Sequence, residues 1–208
     1  MIASLLFLLH ALVSVSVSLL IAWPFIGQMK RHHVLIGLAI DSGLRCTLLS
    51  IGLGHPCAWS VLVAFIVFSH LAWIDACTGR LPDILTLPML AAGIARAAWV
   101  GHPDIANVIM GASVGFLILF SIDKSWRALY GQHAIGGGDM KLLAALGAWS
   151  GIHTLLLLLS CACLMAACVG LLTTRHRLPA AALPFGPFLV IAALLQQLLI
   201  RHWAPTLI

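Results

Sequence analysis

Apolar runs of about 17–25 residues follow one another along this chain, the length that a hydrocarbon layer about 30 Å thick requires of a spanning helix. Composition agrees. Of 208 residues, 62% are hydrophobic and 8% charged, whereas about a quarter of an ordinary soluble domain is charged. The mean hydropathy is +1.11. The expected fold is therefore all-α, a polytopic bundle of transmembrane helices. About eight segments can be drawn, roughly 4–26, 34–53, 58–76, 83–100, 105–122, 139–150, 153–174 and 180–200. The sixth is too short to cross by itself, and a glycine-entered half-helix is tolerated at membrane depth only where it is buried in protein or lines a wet cavity. The chain reads as one membrane-embedded domain, 1–208, with two N-terminal segments in 1–57 and a core in 58–208. Its loops are short except at 123–138, which carries Lys124, Trp126, Arg127, Tyr130 and His133. A connection of that length between packed elements is often functional or mobile.

Basic residues predict the orientation. With the N-terminus outside, Lys30, Arg31, Arg80, Lys124, Arg127, Lys141, Arg175 and Arg177 all fall on the cytoplasmic side and Arg201 outside, while Arg45 and Arg96 lie within segments. Such asymmetry in short loops is a strong orientation signal. The seven Trp, Trp23, Trp59, Trp73, Trp99, Trp126, Trp149 and Trp203, each lie near a segment end, where amphipathic rings favour the headgroup zone. The net charge of +5 could attract anionic lipid headgroups, but the basic residues are scattered over separate loops and no nucleic-acid surface is expected. The first segment has no basic residue before it and a long apolar run, and is expected to be a retained anchor rather than a signal peptide. The cysteines imply no disulfide framework, and neither they nor the histidines show metal-ligand spacing. No metal site or cofactor is expected.

The acids carry the chemistry. There are six, all Asp, and an acid entering hydrocarbon costs about 3 kcal/mol on insertion scales, so it is a functional hypothesis by default. Asp139 stands between three glycines and an apolar run, in A-I-G-G-G-D-M-K-L-L-A; Asp75 stands at the end of another run, in A-W-I-D-A-C-T-G-R-L-P-D. Both fall at cytoplasmic ends, and they are expected to meet. Two carboxylates within a few ångströms hold one shared proton. Such a pair supplies a base to activate water and an acid to protonate the carbonyl oxygen or the leaving amine, which is peptide hydrolysis without a metal or a nucleophilic side chain. The glycines are expected to permit dihedrals closed to other residues and to let a substrate backbone approach. The G-x-x-x-x-G-K-[ST] spacing of a phosphate loop is absent.

Plainer readings stand beside these. Asp139 could cap its helix, and Asp75 could pair with Arg80 or Lys141. Asp83, after Pro82, is expected to cap or to favour the helix dipole. Asp41 and Arg45, spaced i,i+4, fit an intrahelical pair. Asp104 and Asp123 are expected to be interfacial and solvated. Lys141 is expected to snorkel to the inner headgroups more than to enter the chemistry. Pro184-Phe185-Gly186-Pro187 fits a kinked helix start or an element that shapes the site.

Gly136-Gly137-Gly138-Asp139-Met140-Lys141, followed by L-L-A-A-L-G-A-W, resembles the G-x-G-D-x-K segment of the bacterial type IV prepilin peptidases. Asp75 with Gly79, Leu81-Pro82-Asp83 and Leu85-Thr86-Leu87-Pro88 is similar to that family's other aspartate segment, and Pro184-Phe185-Gly186-Pro187 to its late P-F-G-P element. The resemblance implies an intramembrane aspartic endopeptidase of the inner membrane. It implies removal of the basic leader from type IV prepilins or pseudopilins at the cytoplasmic face, usually after a glycine. By motif position Asp75 and Asp139 are the catalytic pair, with Gly136, Gly138, Lys141, Pro184 and Gly186 shaping the site. Many members also carry a cytoplasmic C-x-x-C zinc insert after the first span and N-methylate the mature pilin. Here that region is the short loop around Lys30-Arg31-His32-His33, which puts methyl transfer, though not cleavage, in question.

Two other classes fit parts of the pattern. A small transporter or channel would use intramembrane acids to relay protons or bind a cation, but would place them at mid-depth, often in inverted repeats. A non-catalytic subunit of a pilus or secretion machine would tolerate loss of both aspartates.

Overall fold

The structure, a computed structural model, describes residues 56–101, 103–175 and 184–203. The expected segments 4–26 and 34–53, the basic loop at 30–33, the Asp41/Arg45 pair, Arg177 and the start of the last segment lie outside the described residues. Every described element is an α-helix: α1 (Pro56–Thr78), α2 (Asp83–Val100), α3 (Ile105–Tyr130), α4 (Gly137–Ser150), α5 (Ile152–Arg175) and α6 (Gly186–Trp203). Three are long and apolar enough to cross a membrane, over Asp83–Val100, Ile105–Tyr130 and Ile152–Leu171. The chain divides after Gly79 into two compact units. The described part of the first is α1; α2 to α6 belong to the second.

Within the second unit α4 is the centre, packed by α2, α3, α5 and α6. Its 14 residues span only about 21 Å at 1.5 Å per residue, too little to cross alone. Met140 and every residue from Leu142 to Ala148 are buried, so beyond its first turn this helix is apolar on all sides and enclosed on all sides. Glycines bring the neighbours close. A Cβ on Gly111 of α3 would lie 2.5 Å from the Gly147 carbonyl oxygen of α4, and one on Gly115 would lie 3.0 Å from the Leu143 carbonyl oxygen. Gly111 and Gly115 form the small-x-x-x-small spacing that lets membrane helices meet backbone to backbone. On the other side, Gly93 of α2 faces Ala148 and the Trp149 indole, with a would-be Cβ 2.9 Å from each.

Trp149 is expected at the headgroup rim, yet its ring is used inside the protein. Its indole N–H donates to the Met89 carbonyl at 2.8 Å, across the gap that Gly93 leaves. The Arg96 guanidinium lies over the same ring, 5.7 Å from its centre. Trp99 instead points outward, 92% exposed. Asn107 of α3 caps α5 from a distance, its Oδ1 accepting the Ile152 N–H at 2.9 Å.

The largest departure from the expected segments is in α3, which runs to Tyr130 rather than stopping near 122. The charges from Asp123 to Arg127 end the apolar run without ending the helix. Gly131 ends it, at φ 73, with its N–H on the Arg127 carbonyl, a left-handed C-terminal stop that glycine adopts without a Cβ penalty. The expected loop at 123–138 is thus the last eight residues of α3, about two helical turns, followed by residues 131–136 and the start of α4.

Candidate active site

The approach to Asp139 is built from glycine. Gly136 stands at the N-cap of α4 in extended geometry, and no side chain caps the helix. Asp139 occupies the third helical position, where its N–H donates to the Gly136 carbonyl at 3.1 Å. It is half-buried, and it sits in the first turn, where the helix dipole favours a negative charge. The glycine run does not use forbidden dihedrals: among the described residues the positive-φ glycines are Gly79, Gly101, Gly131 and Gly151. The glycines serve by lacking a side chain. A Cβ on Gly138 would lie 2.7 Å from the Leu81 Cβ, and one on Gly136 would lie 3.4 Å from the Asp139 Oδ2. A Cβ on Gly137 would meet nothing within 4 Å.

Lys141 does more than reach towards headgroups. Its ammonium donates to Asp83 Oδ2 at 2.6 Å, joining the first turn of α4 to the first turn of α2. Asp83 is the first residue of α2, after the N-cap Pro82, and stands in the first turn, where the helix dipole favours a negative charge. With side chains 36% and 55% exposed, the pair is an exposed tie between two helix starts.

Asp123 corrects the expectation of a solvated, interfacial acid. It is 6% exposed, and both carboxylate oxygens are engaged. Oδ1 accepts the backbone N–H groups of Ala134 at 2.8 Å and Ile135 at 3.1 Å. Oδ2 lies 2.8 Å from Nδ1 of His133, which must carry the proton, since an ionised carboxylate only accepts. No local spacing announces this arrangement, because the contact closes only when the chain turns back at Gly131.

Asp75 belongs to the first unit and lies near the end of α1, 4% exposed. Its carbonyl accepts the Gly79 N–H at 2.7 Å, and Gly79 takes φ 63, so the helix stops one turn beyond the carboxylate. His70, also buried, has Nδ1 2.6 Å from the Ile66 carbonyl. In the second unit Pro184 is half-buried ahead of α6, and Gly186, buried, is that helix's first residue. Pro187 follows in the first turn, where its missing N–H leaves no intrahelical bond unmade. Among the described residues no group of three His, Cys, Asp or Glu side chains could hold a metal.

Residues 62–171 match the type IV leader peptidase family, a stretch that contains both Asp75 and Asp139. A prepilin leader peptidase/N-methyltransferase of Aeromonas salmonicida (strain A449) is 37% identical over 153 residues, 70% of this chain and 53% of that protein. One of Aeromonas hydrophila is 36% identical over 170 residues, 77% of this chain and 59% of that protein. One of Burkholderia pseudomallei (strain 1026b) is 45% identical over 118 residues, 56% of this chain and 38% of that protein. The chain thus spans about half the length of these relatives. No solved structure matches it.

Proposed function

This chain belongs to the type IV leader peptidase family, and we propose that it is an intramembrane aspartic endopeptidase that removes the basic leader from type IV prepilins or pseudopilins. The observation that carries the reading is that the family match encloses the two acids that the sequence sets apart, Asp75 and Asp139. In the proposed reaction the two carboxyls share one proton. The ionised member takes a proton from water as the water oxygen attacks the scissile carbonyl, and the protonated member gives its proton to the carbonyl oxygen. Collapse of the tetrahedral intermediate expels the leaving amine, which takes a proton from the acid formed in the first step, and the shared proton returns to the pair.

Such a substrate suits the expected orientation. A precursor with a basic leader held inside and an apolar helix in the bilayer presents its scissile bond at the cytoplasmic rim of the inner membrane, where the basic-residue pattern puts both aspartates. Gly136, Gly138, Lys141, Pro184 and Gly186 would shape the site around them. The proposal covers cleavage without a zinc site. It leaves out methyl transfer, and mass spectrometry finding an N-methylated mature pilin made by this chain alone would overturn that half. Cleavage is tested by co-expressing the chain, native and with Asp75→Asn or Asp139→Asn, with a pilin precursor and following leader loss. Each substitution is expected to abolish cleavage while leaving the protein inserted; full processing by the Asp139→Asn protein would refute the assignment.

A further inference from the structure

We infer that Asp123 is a positioning residue for Asp139: by gripping the backbone between α3 and α4, it fixes where the start of α4 and the Asp139 carboxyl stand. The link to cleavage rests on the catalytic reading of Asp139; the grip itself does not.

The connection ahead of α4 is exposed at residues 131–134 and bounded by glycine, Gly131 and Gly136. A Cβ on Gly137 would meet nothing within 4 Å, and the N-cap Gly136 has no side chain with which to cap α4. The N–H groups of Ala134 and Ile135 lie ahead of the helix, so its own ladder cannot employ them. Asp123 takes both on one oxygen and His133 on the other. Bonds to an ionised acceptor are about twice as strong as neutral ones, and at 6% exposure this acceptor has little competing water. Asp123 is also mounted on a firm base, because α3 is locked to α4 by the close approaches at Gly111 and Gly115. From the gripped Ile135 the chain reaches Gly136 at once, and the Gly136 carbonyl accepts the Asp139 N–H at 3.1 Å. The grip therefore ends at the backbone of the proposed catalytic acid.

The test uses the full chain in detergent, with two readouts for native protein, Asp123→Ala and Asp123→Asn. One is hydrogen exchange over residues 131–136. The other is cleavage of a synthetic precursor peptide carrying a basic leader, a glycine and the first apolar residues. Asp123→Ala is expected to lose protection at Ala134 and Ile135, and kcat to fall about a hundredfold, the scale of a misplacement of about 1 Å, with KM little changed. Asp123→Asn keeps an oxygen able to accept both N–H groups and is expected to retain the protection and most of kcat. Retained protection in Asp123→Ala would overturn the grip, and lost protection with native kcat would overturn the positioning. Equal loss of kcat in both variants, with protection intact in Asp123→Asn, would overturn it as well. Failure of the native chain to cleave any precursor would sink the peptidase reading instead, and the exchange comparison would still decide the grip.

Discussion

Gly111 and Gly147 meet backbone to backbone, so closely that a Cβ on Gly111 would stand 2.5 Å from the Gly147 carbonyl oxygen. In a bilayer, apolar side chains gain little by leaving lipid for protein, so helix association depends on how closely the surfaces fit. Gly111→Leu is expected to push α3 off α4 at a cost of about 1–3 kcal/mol or more, seen as a lower unfolding temperature in detergent. Gly137 provides the contrast. With nothing within 4 Å of its would-be Cβ and a helical backbone, Gly137→Ala is expected to stabilise by about 0.4–1 kcal/mol, by restricting the unfolded chain.

The tie between Lys141 and Asp83 is short, but geometry and energy part company here. Both side chains are more than a third exposed, and exposed ion pairs contribute about 0–1 kcal/mol after solvent screening and side-chain entropy. A double-mutant cycle with Lys141→Gln and Asp83→Asn is expected to give a coupling below about 1 kcal/mol, smaller still in high salt. A coupling of several kcal/mol would mean that the pair is shielded from water.

Trp149 separates a hydrogen bond from a packing contact. Trp149→Phe keeps an aromatic ring against Gly93 but removes the donor to the Met89 carbonyl, and is expected to cost about 0.5–1.5 kcal/mol. Trp149→Ala also empties the ring's place over α2 and beneath Arg96, and is expected to cost more, about 3 kcal/mol. Chemical denaturation followed by near-UV circular dichroism measures both.

The length of the apolar runs made most of the described helices legible. The segments drawn at 83–100, 139–150 and 153–174 differ from α2, α4 and α5 by at most two residues at either end, because apolar runs in a membrane chain are bounded by charge and glycine. The same logic failed at 123–130, where charge marks the end of the apolar run and not of the helix. The pattern could not show what the polar groups do. Asp83 and Lys141 are 58 residues apart in sequence, Trp149 and Met89 60 apart, and such pairs exist only once α2 and α4 lie side by side. The G-x-x-x-G spacing of Gly111 and Gly115 was present in the sequence as a signal for that packing. Asp123 had no counterpart, since an acid at the end of an apolar run reads as solvated until the chain is seen to fold back over it.

That folding back depends on Gly131. Its left-handed φ of 73 stops α3 and turns residues 132–135 over Asp123. An L side chain in that conformation crowds its own carbonyl, at about 1–2 kcal/mol, while Asn tolerates it better. Gly131→Ala is expected to lower stability by about 1 kcal/mol, Gly131→Asn by less. The informative readout is local. If Gly131 directs the turn, hydrogen exchange at Ala134 and Ile135 rises in Gly131→Ala and stays near native in Gly131→Asn, even though the Asp123 carboxylate is intact in both. Exchange unchanged in both variants would mean that the carboxylate captures the connection whatever the helix stop allows, and that Gly131 ends α3 without steering the path to α4.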